Sequence, residues 1–479
     1  MMLRPASMLV LLLGLLLVSC DRKQPNVLLI LADDMGYYDV TAFRNLEPLS
    51  IERPPTCETP HIDRIAEGGM RFDDFYSGAA VCSPSRAALI AGRNCTRLGI
   101  YNWIPTSNPM HLREEEVTIA DMLRKEGYVN GHFGKWHLGA GVDIPSPADQ
   151  GFDHYFYTEN NAIPSHHKPN NFVRNGKSVG ELDGYSSHLV VDETLSWLKK
   201  QEGKDRPFFA NVWFHEPHAP LAAPDSLKSR HTYNEEYYGA VENMDYAVGR
   251  LLDYLESVAL LGNTIVLFAS DNGSYLEGSN SSLRGRKAFN YQGGLRTPFL
   301  LRWDGKIEAG SSSRQLGSFV DILPTLAGLL GIEDPSPKRL DGMDLSAVAL
   351  GVSPSVYRTE PVFYFRYFHD PVAMLREGDW VLLGYNEKLP YEEVYDTREH
   401  AKLKPAEGEP RWAQWGFQRG HQDYLLQQTI NEFELFDVSN DPGQRNDVAL
   451  QYPKRVDRMK EQMMALRAEM IAEGGDWYD

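Results

Sequence analysis

Four stretches of this chain share one layout, an apolar run that ends abruptly in charged or polar residues. Asn26-Val27-Leu28-Leu29-Ile30-Leu31-Ala32 stops at Asp33-Asp34-Met35-Gly36. Val129 to Phe133 leads into Gly134-Lys135-Trp136-His137-Leu138-Gly139. Pro207 to Phe214 leads into His215-Glu216-Pro217-His218-Ala219-Pro220, and Thr264 to Ala269 into Ser270-Asp271-Asn272-Gly273. A run without polar alternation reads as a strand covered on both faces. Helical patterns lie between these runs. Val117 to Gly127 is apolar at Ile119, Ala120, Met122 and Leu123 and closes on Gly127. In Glu235 to Glu256, Tyr238, Val241, Met244, Val248, Leu251 and Leu255 recur at helical spacing. This alternation predicts an α/β fold with a large mixed, mainly parallel sheet sandwiched by helices. Ligands of such folds sit beyond the carboxyl ends of the strands, where all four runs deliver their Asp, His, Lys or Asn residues.

The pattern changes after Leu345. Gly351 to Glu360 reads as a linker. Pro361 to Phe365, Trp380 to Leu383 and Glu434 to Val438 read as short strands of an antiparallel sheet. Val456, Met459, Met463, Leu466 and Met470 mark a closing helix whose methionines are core. The expected division is a larger N-terminal domain over 25–355, which carries all four strand ends, and a smaller C-terminal α+β subdomain over 356–479.

The net charge is -18, which argues against nucleic acid as a partner, because phosphate binding needs basic surface. A local cluster of cations can still hold a small anion. Residues 1–20 read as a targeting segment. Arg4 precedes the apolar run Met8 to Val18, which is short for a membrane span. It ends in Leu17-Val18-Ser19-Cys20, similar to a bacterial lipobox. The expectation is an exported protein of a bacterial periplasm or cell surface, anchored to the membrane by lipid on Cys20. The other cysteines are Cys57, Cys82 and Cys95. An oxidising compartment permits a Cys57–Cys95 disulfide, but spacing alone does not decide it.

Adjacent carboxylates such as Asp33 and Asp34 repel each other unless a cation lies between them. With Asp271 and Asn272 behind another buried strand, they offer the oxygen donors that a hard divalent cation takes, and no soft ligands for zinc. Each pair alone also reads as a turn or helix cap. Lys135, His137, His218 and Lys287 are individually ordinary, but gathered at one mouth they suit a tetrahedral oxyanion and a leaving group that needs a proton. His215 competes with His218, which is favoured for its place in a Pro-His-x-Pro turn. Cys82 opens Cys82-Ser83-Pro84-Ser85-Arg86. Cysteine, then Pro two positions on and Arg four on, is the pattern that maturing enzymes oxidise to Cα-formylglycine, an aldehyde.

Several segments together resemble the type I, formylglycine-dependent sulfatases of the alkaline-phosphatase-like superfamily. They are Asn26 to Asp39, Thr59 to Phe72, Cys82 to Arg93, Gly134 to Gly139, Pro217 to Leu221, Asp271 to Gly273, Leu283 to Pro298 and Leu435 to Asp441. One small departure is Gln292, where such sequences often carry Glu. The resemblance implies that Cys82, as the formylglycine hydrate, attacks sulfur. It implies Ca2+ held by Asp33, Asp34, Asp271, Asn272 and the modified Cys82. Arg86 and Lys135 would hold the ionised diol, and His137 would act as base. Lys287 and His218 would bind sulfate oxygens, one of them protonating the leaving alcohol. Expected partners are a sulfated carbohydrate and a formylglycine-generating or anaerobic sulfatase-maturing enzyme.

Two other functions fit parts of this pattern. One is a phosphonate monoester hydrolase or phosphodiesterase of the same superfamily. The other is a lipid-anchored protein that binds sulfated glycans without cleaving them. Specificity is expected from the loops Asn45 to Thr59, Ile100 to Leu112 and His154 to Tyr185 and from the second domain. Tyr101, Trp103, His111, His166, His167, Arg366 and Tyr367 are the candidate sugar contacts.

Overall fold

The structure is a computed structural model describing residues 24–477, apart from 47–53, 106–107, 140, 142–143, 281, 367–370, 387 and 389–420. The targeting segment, Cys20 and Tyr367 lie outside the described residues. Ten strands form one sheet. In chain order they are β1 (Asn26–Ala32), β2 (Met70–Phe72), β3 (Val129–Lys135), β4 (His154–Thr158), β5 (Val173–Arg174), β6 (Lys177–Ser178), β7 (Phe208–Trp213), β8 (Thr264–Ser270), β9 (Phe299–Arg302) and β10 (Ser311–Ser313). Their lateral order is β10-β2-β9-β8-β1-β7-β3-β4-β5-β6. The central strands β8, β1, β7, β3 and β4 run parallel. β9 is antiparallel to both its neighbours, and β5 and β6 form an antiparallel edge.

Every residue of β1, β7 and β8 is buried, which is why these runs lack polar alternation. Val27, Leu29 and Leu31 face a layer containing α2 (Cys82–Ala91), α3 (Ile119–Lys125) and α6 (Ile322–Leu330). Leu28 and Ile30 face α1 (Pro60–Glu67), α4 (Ser186–Lys199) and α5 (Glu235–Ser257). Two apolar layers therefore clamp the sheet and leave its strand ends open to function.

A separate antiparallel sheet contains β11 (Val362–Phe365), β12 (Ala373–Glu377), β13 (Trp380–Tyr385) and β14 (Glu432–Asp437). β12 is a strand beyond those expected from sequence; its apolar run, Val372 to Leu375, is short and ends at Arg376 and Glu377. Met459, Met463, Leu466 and Met470 of α7 (Pro453–Gly474) pack into the apolar cluster on this sheet. Arg97 joins α7 to the larger sheet's helical layer through Asp341, Glu469 and Glu473. Cys57 and Cys95 are both free thiols. Cys57 lies beside Arg44 and Asp39, whereas the Cys95 sulfur is 3.8 Å from the Gly78 carbonyl. The disulfide that sequence left open is not formed.

Candidate functional site

Backbone bonds stitch three strand ends together. Asp271 donates its N–H to Ala32 O at 3.0 Å, and Asp33 donates to Glu216 O at 2.9 Å. Asp34 takes a left-handed φ of 66°, which a non-glycine residue adopts only when its surroundings impose it. Here its N–H is held by Asp271 Oδ1 at 3.1 Å and its Oδ1 by Asn272 Nδ2 at 2.8 Å. On β3, a Cβ at Gly134 would lie 1.8 Å from Trp213 O, so only glycine lets β3 and β7 approach this closely.

Cys82 is the first residue of α2, after an extended Val81. Pro84 falls in the first turn, where backbone N–H groups have no intrahelical acceptor, so it costs no hydrogen bond. Arg86 follows one turn later on the same face. All ten residues of α2 are buried, and the helix ends at Gly92 with φ 65°. Arg86 donates from Nε and Nη2 to Asp271 Oδ2 at 3.0 and 2.8 Å, and from Nη1 to Lys135 O at 3.1 Å. Its Nη2 is also 3.6 Å from Asp33 Oδ1. Lys135 Nζ bonds Asp33 Oδ2 at 2.6 Å, and Lys287 Nζ bonds Asp34 Oδ2 at 2.7 Å.

Three carboxylates and three cations thus interlock. Burial opposes the charge on Asp33, but Lys135, His218, Arg86 and Lys287 together hold its carboxyl well below the usual range. Burial, then the Asp33 charge, pushes Asp271 up to about 7. Burial opposes the Lys287 charge, but Asp34 above all holds its ammonium above the usual range. Burial pushes the Cys82 thiol up, against the pull of Lys135 and Lys287. A buried neutral thiol is a poor nucleophile, so the encoded side chain is not itself activated.

The residues fit a divalent cation. Carboxylate oxygens of Asp33, Asp34 and Asp271 lie within 4.8 Å of one another, as do ligand atoms of Asp33, Cys82 and His218. Asp33 Oδ1 and Asn272 Oδ1 are buried acceptors without a hydrogen-bond partner. An orphaned buried acceptor costs ~1–3 kcal/mol, and a cation on these oxygens would remove that cost.

The two histidines that sequence set in competition are separated by burial. His218 keeps 20% side-chain exposure, with Nε2 3.6 Å from Asp34 Oδ2. Burial, then Lys287, lowers its pKa to about 4. His215 is fully buried, with Nε2 bonded to Thr158 Oγ1 at 2.7 Å. His137 sits at φ 56°, with Nε2 3.1 Å from Ile104 O. A carbonyl only accepts, so the proton is on Nε2 and the lone pair on Nδ1, which has no hydrogen-bond partner. Burial, then Lys135 and Arg86, keeps this ring neutral.

The site also uses residues the sequence did not disclose. Asn161 accepts from Lys135 Nζ at 3.0 Å through Oδ1. The Tyr237 hydroxyl lies 2.5 Å from Asp39 Oδ2, 3.1 Å from Asp34 O and 2.8 Å from Ser274 Oγ, tying two strand-end loops together. Neither sits in a motif; a lone Asn in a loop and a Tyr on a helix stripe carry no distinctive signal. Of the candidate sugar contacts, Tyr101, His166 and Arg366 are buried. His111 packs against Trp477 with ring centroids 4.7 Å apart. His167 is exposed.

Known proteins share both the sequence and the fold. The sulfatase family model matches residues 25–332, and the model for the C-terminal part of N-sulphoglucosamine sulphohydrolase matches residues 286–410. Canine N-acetylgalactosamine-6-sulfatase is 34% identical over 373 residues, covering 72% of this chain and 69% of its own. Human arylsulfatase A is 30% identical over 493 aligned residues, covering 94% of this chain and 89% of its own. The solved structure of Ps i-CgsB in complex with k-i-k-neocarrahexaose superposes with a TM-score of 0.76 at 25% identity, covering 95% of both chains. A phosphonate monoester hydrolase from Agrobacterium radiobacter shares the fold alone, with a TM-score of 0.61, 20% identity and coverage of 93% of this chain and 96% of its own. The chain belongs to the sulfatase family and is a sulfuric ester hydrolase.

Proposed function

We propose that this sulfatase hydrolyses sulfate esters of a carbohydrate, with residue 82 acting after oxidation of Cys82 to formylglycine. We propose Ca2+ as the cation, held by Asp33, Asp34, Asp271, Asn272 and residue 82. The carrying observation is the buried cluster itself: three carboxylates balanced by three cations, two orphaned oxygens and an inert thiol at a helix start. With its charges already balanced, the cluster gains from a further cation when an anionic ester enters.

Bound there, calcium would supply Lewis-acid charge to the sulfate oxygens. Formylglycine supplies a hydrated aldehyde whose hydroxyl no encoded side chain offers. The encoded residues do the remaining work. Arg86 holds Asp271 and Lys135 holds Asp33, so neither carboxylate is free to turn away. Lys135 and Lys287 place positive charge against the negative charge on the sulfate oxygens. His137 takes a proton at Nδ1. A bound anion favours the protonated form of His218, which then gives its proton to the leaving alcohol oxygen. The relatives' names support a sugar substrate, since one is an N-acetylgalactosamine-6-sulfatase. We also propose export and lipid anchoring through Cys20, which detergent-phase partition and its loss in Cys20→Ala would test. The test of function is sulfate release from sulfated oligosaccharides by enzyme co-expressed with a maturase. Cys82→Ser should keep its melting temperature and lose turnover; full activity in that variant would refute the mechanism.

A further inference from the structure

Beside the catalytic cluster, the loop between β4 and β5 and the one between β6 and α4 bring together an aromatic pair that the mechanism does not use. His166 is buried, its ring centroid 6.1 Å from that of His215. At the next residue the chain turns outward, and the exposed His167 ring stacks on Tyr185 with centroids 4.6 Å apart and planes at 29°. Two features keep this pair next to the site. His167 follows His166, whose Nδ1 lies 3.8 Å from Glu216 Oε1. Tyr185 directly precedes α4, and there the Ser186 hydroxyl and, at 3.0 Å, the Ser187 N–H donate to Glu216, two residues before His218.

The pair is held in place before any ligand arrives. His167 and Tyr185 form an isolated antiparallel bridge. Ser165 Oγ accepts from His167 N–H at 3.1 Å and donates to His167 O at 2.8 Å. Lys168 N–H donates to Gly184 O at 2.9 Å, and Ser186 N–H to His166 O at 2.7 Å. A surface residue so tightly pinned loses little entropy on binding. Lys168 stands next to it, with Nζ 3.6 Å from Asp183 Oδ1 and side chains 54% and 90% exposed. An ion pair this exposed contributes little, so a ligand anion can replace Asp183.

We infer that His167 and Tyr185 form a sugar-binding subsite beside the catalytic cluster, which stacks the pyranose ring adjoining the sulfated residue, while Lys168 meets a sulfate or carboxylate on that sugar. This rests on the sulfatase reading and extends it from the ester to its neighbouring sugar. The C–H faces of a pyranose suit an aromatic face, and a few placed polar groups fix orientation. A small aryl sulfate has no neighbouring pyranose to stack there.

The test compares kcat/KM for the best-cleaved member of a panel of chondroitin 6-sulfate and carrageenan oligosaccharides with kcat/KM for p-nitrophenyl sulfate. In Tyr185→Ala the ratio should fall about three- to tenfold, the size of one aromatic contact, and the loss should appear in KM. Tyr185→Phe, which keeps the ring, should stay within about twofold of the parent. If Tyr185→Ala fails to fold, His167→Ala carries the same expectation. An unchanged ratio overturns the subsite, as does an equal loss in Tyr185→Phe. Turnover of the aryl sulfate without cleavage of any oligosaccharide also overturns it. Turnover of neither substrate by matured wild type would overturn the sulfatase reading, and the subsite with it.

Discussion

Arg86→Met should destabilise the protein by about 3–5 kcal/mol, the cost of breaking a buried ion pair from one side. The guanidinium is fully buried and makes two bonds to Asp271 Oδ2, at 3.0 and 2.8 Å, and one to Lys135 O at 3.1 Å. Methionine fills most of its volume but removes one donor from the Lys135 carbonyl and leaves the buried Asp271 carboxyl with only the Asp34 N–H, so that it stays charged unpaired or must take up a proton. The loss therefore comes from uncompensated charge more than from a cavity. Adding Asp271→Asn should recover at least ~2 kcal/mol, because the charge left behind is then also removed. Urea denaturation in EDTA, on wild type, both single variants and the double, measures the coupling without metal. Two results would refute the reasoning: Arg86→Met within about 1 kcal/mol of wild type, or a double variant as unstable as the sum of the singles.

Other outcomes follow from the same geometry. His137→Ala should lower kcat by about 10²–10⁴, beyond the stability lost with a buried ring that bonds Ile104 O, since that ring supplies the proton-accepting Nδ1. Glu193 accepts from His154 and Arg174, and although burial opposes its charge, these partners lower its pKa from 4.5 to about 2. Its stabilisation is present above pH 4.5 and lost as pH falls toward 2, so Glu193→Gln should flatten the acid limb of a stability–pH curve. The effect should be about 1–2 kcal/mol, discounted because Arg174 is 44% exposed. In the presence of sulfate as the anion, added Ca2+ should raise the melting temperature of metal-stripped protein, and Asp33→Asn/Asn272→Ala should abolish that rise in differential scanning fluorimetry. Aryl phosphonate turnover should fall well below aryl sulfate turnover; the reverse order would favour phosphonate chemistry.

The central strands were legible because they are buried on both faces. β1 and β8 leave an unbroken apolar signature, and the polar residues at their ends mark the functional edge. The position of Cys82 was legible for a different reason: with Pro84 and Arg86 it forms, on contiguous residues, the pattern that maturing enzymes oxidise. Longer-range partnerships were not. Asn161 meets Lys135 only because β3 and β4 pair in parallel, and Tyr237 reaches Asp39 only because α5 packs across β1. The candidate sugar contacts misled where residue type was read without burial. His166 and His167 are equivalent in sequence, yet one lies in the protein interior and the other on its surface. The β12 strand was missed because Arg376 is buried against Asp74, a compensation invisible in the sequence.

The central claim is that Cys82 is the source of the nucleophile. It is tested most directly by the mass of the tryptic peptide Phe72 to Arg86 from active enzyme co-expressed with a maturase. The account predicts loss of sulfur and two hydrogens and gain of one oxygen at residue 82, in a fraction that tracks specific activity across preparations. Full sulfate-releasing activity with an unmodified thiol throughout would contradict it.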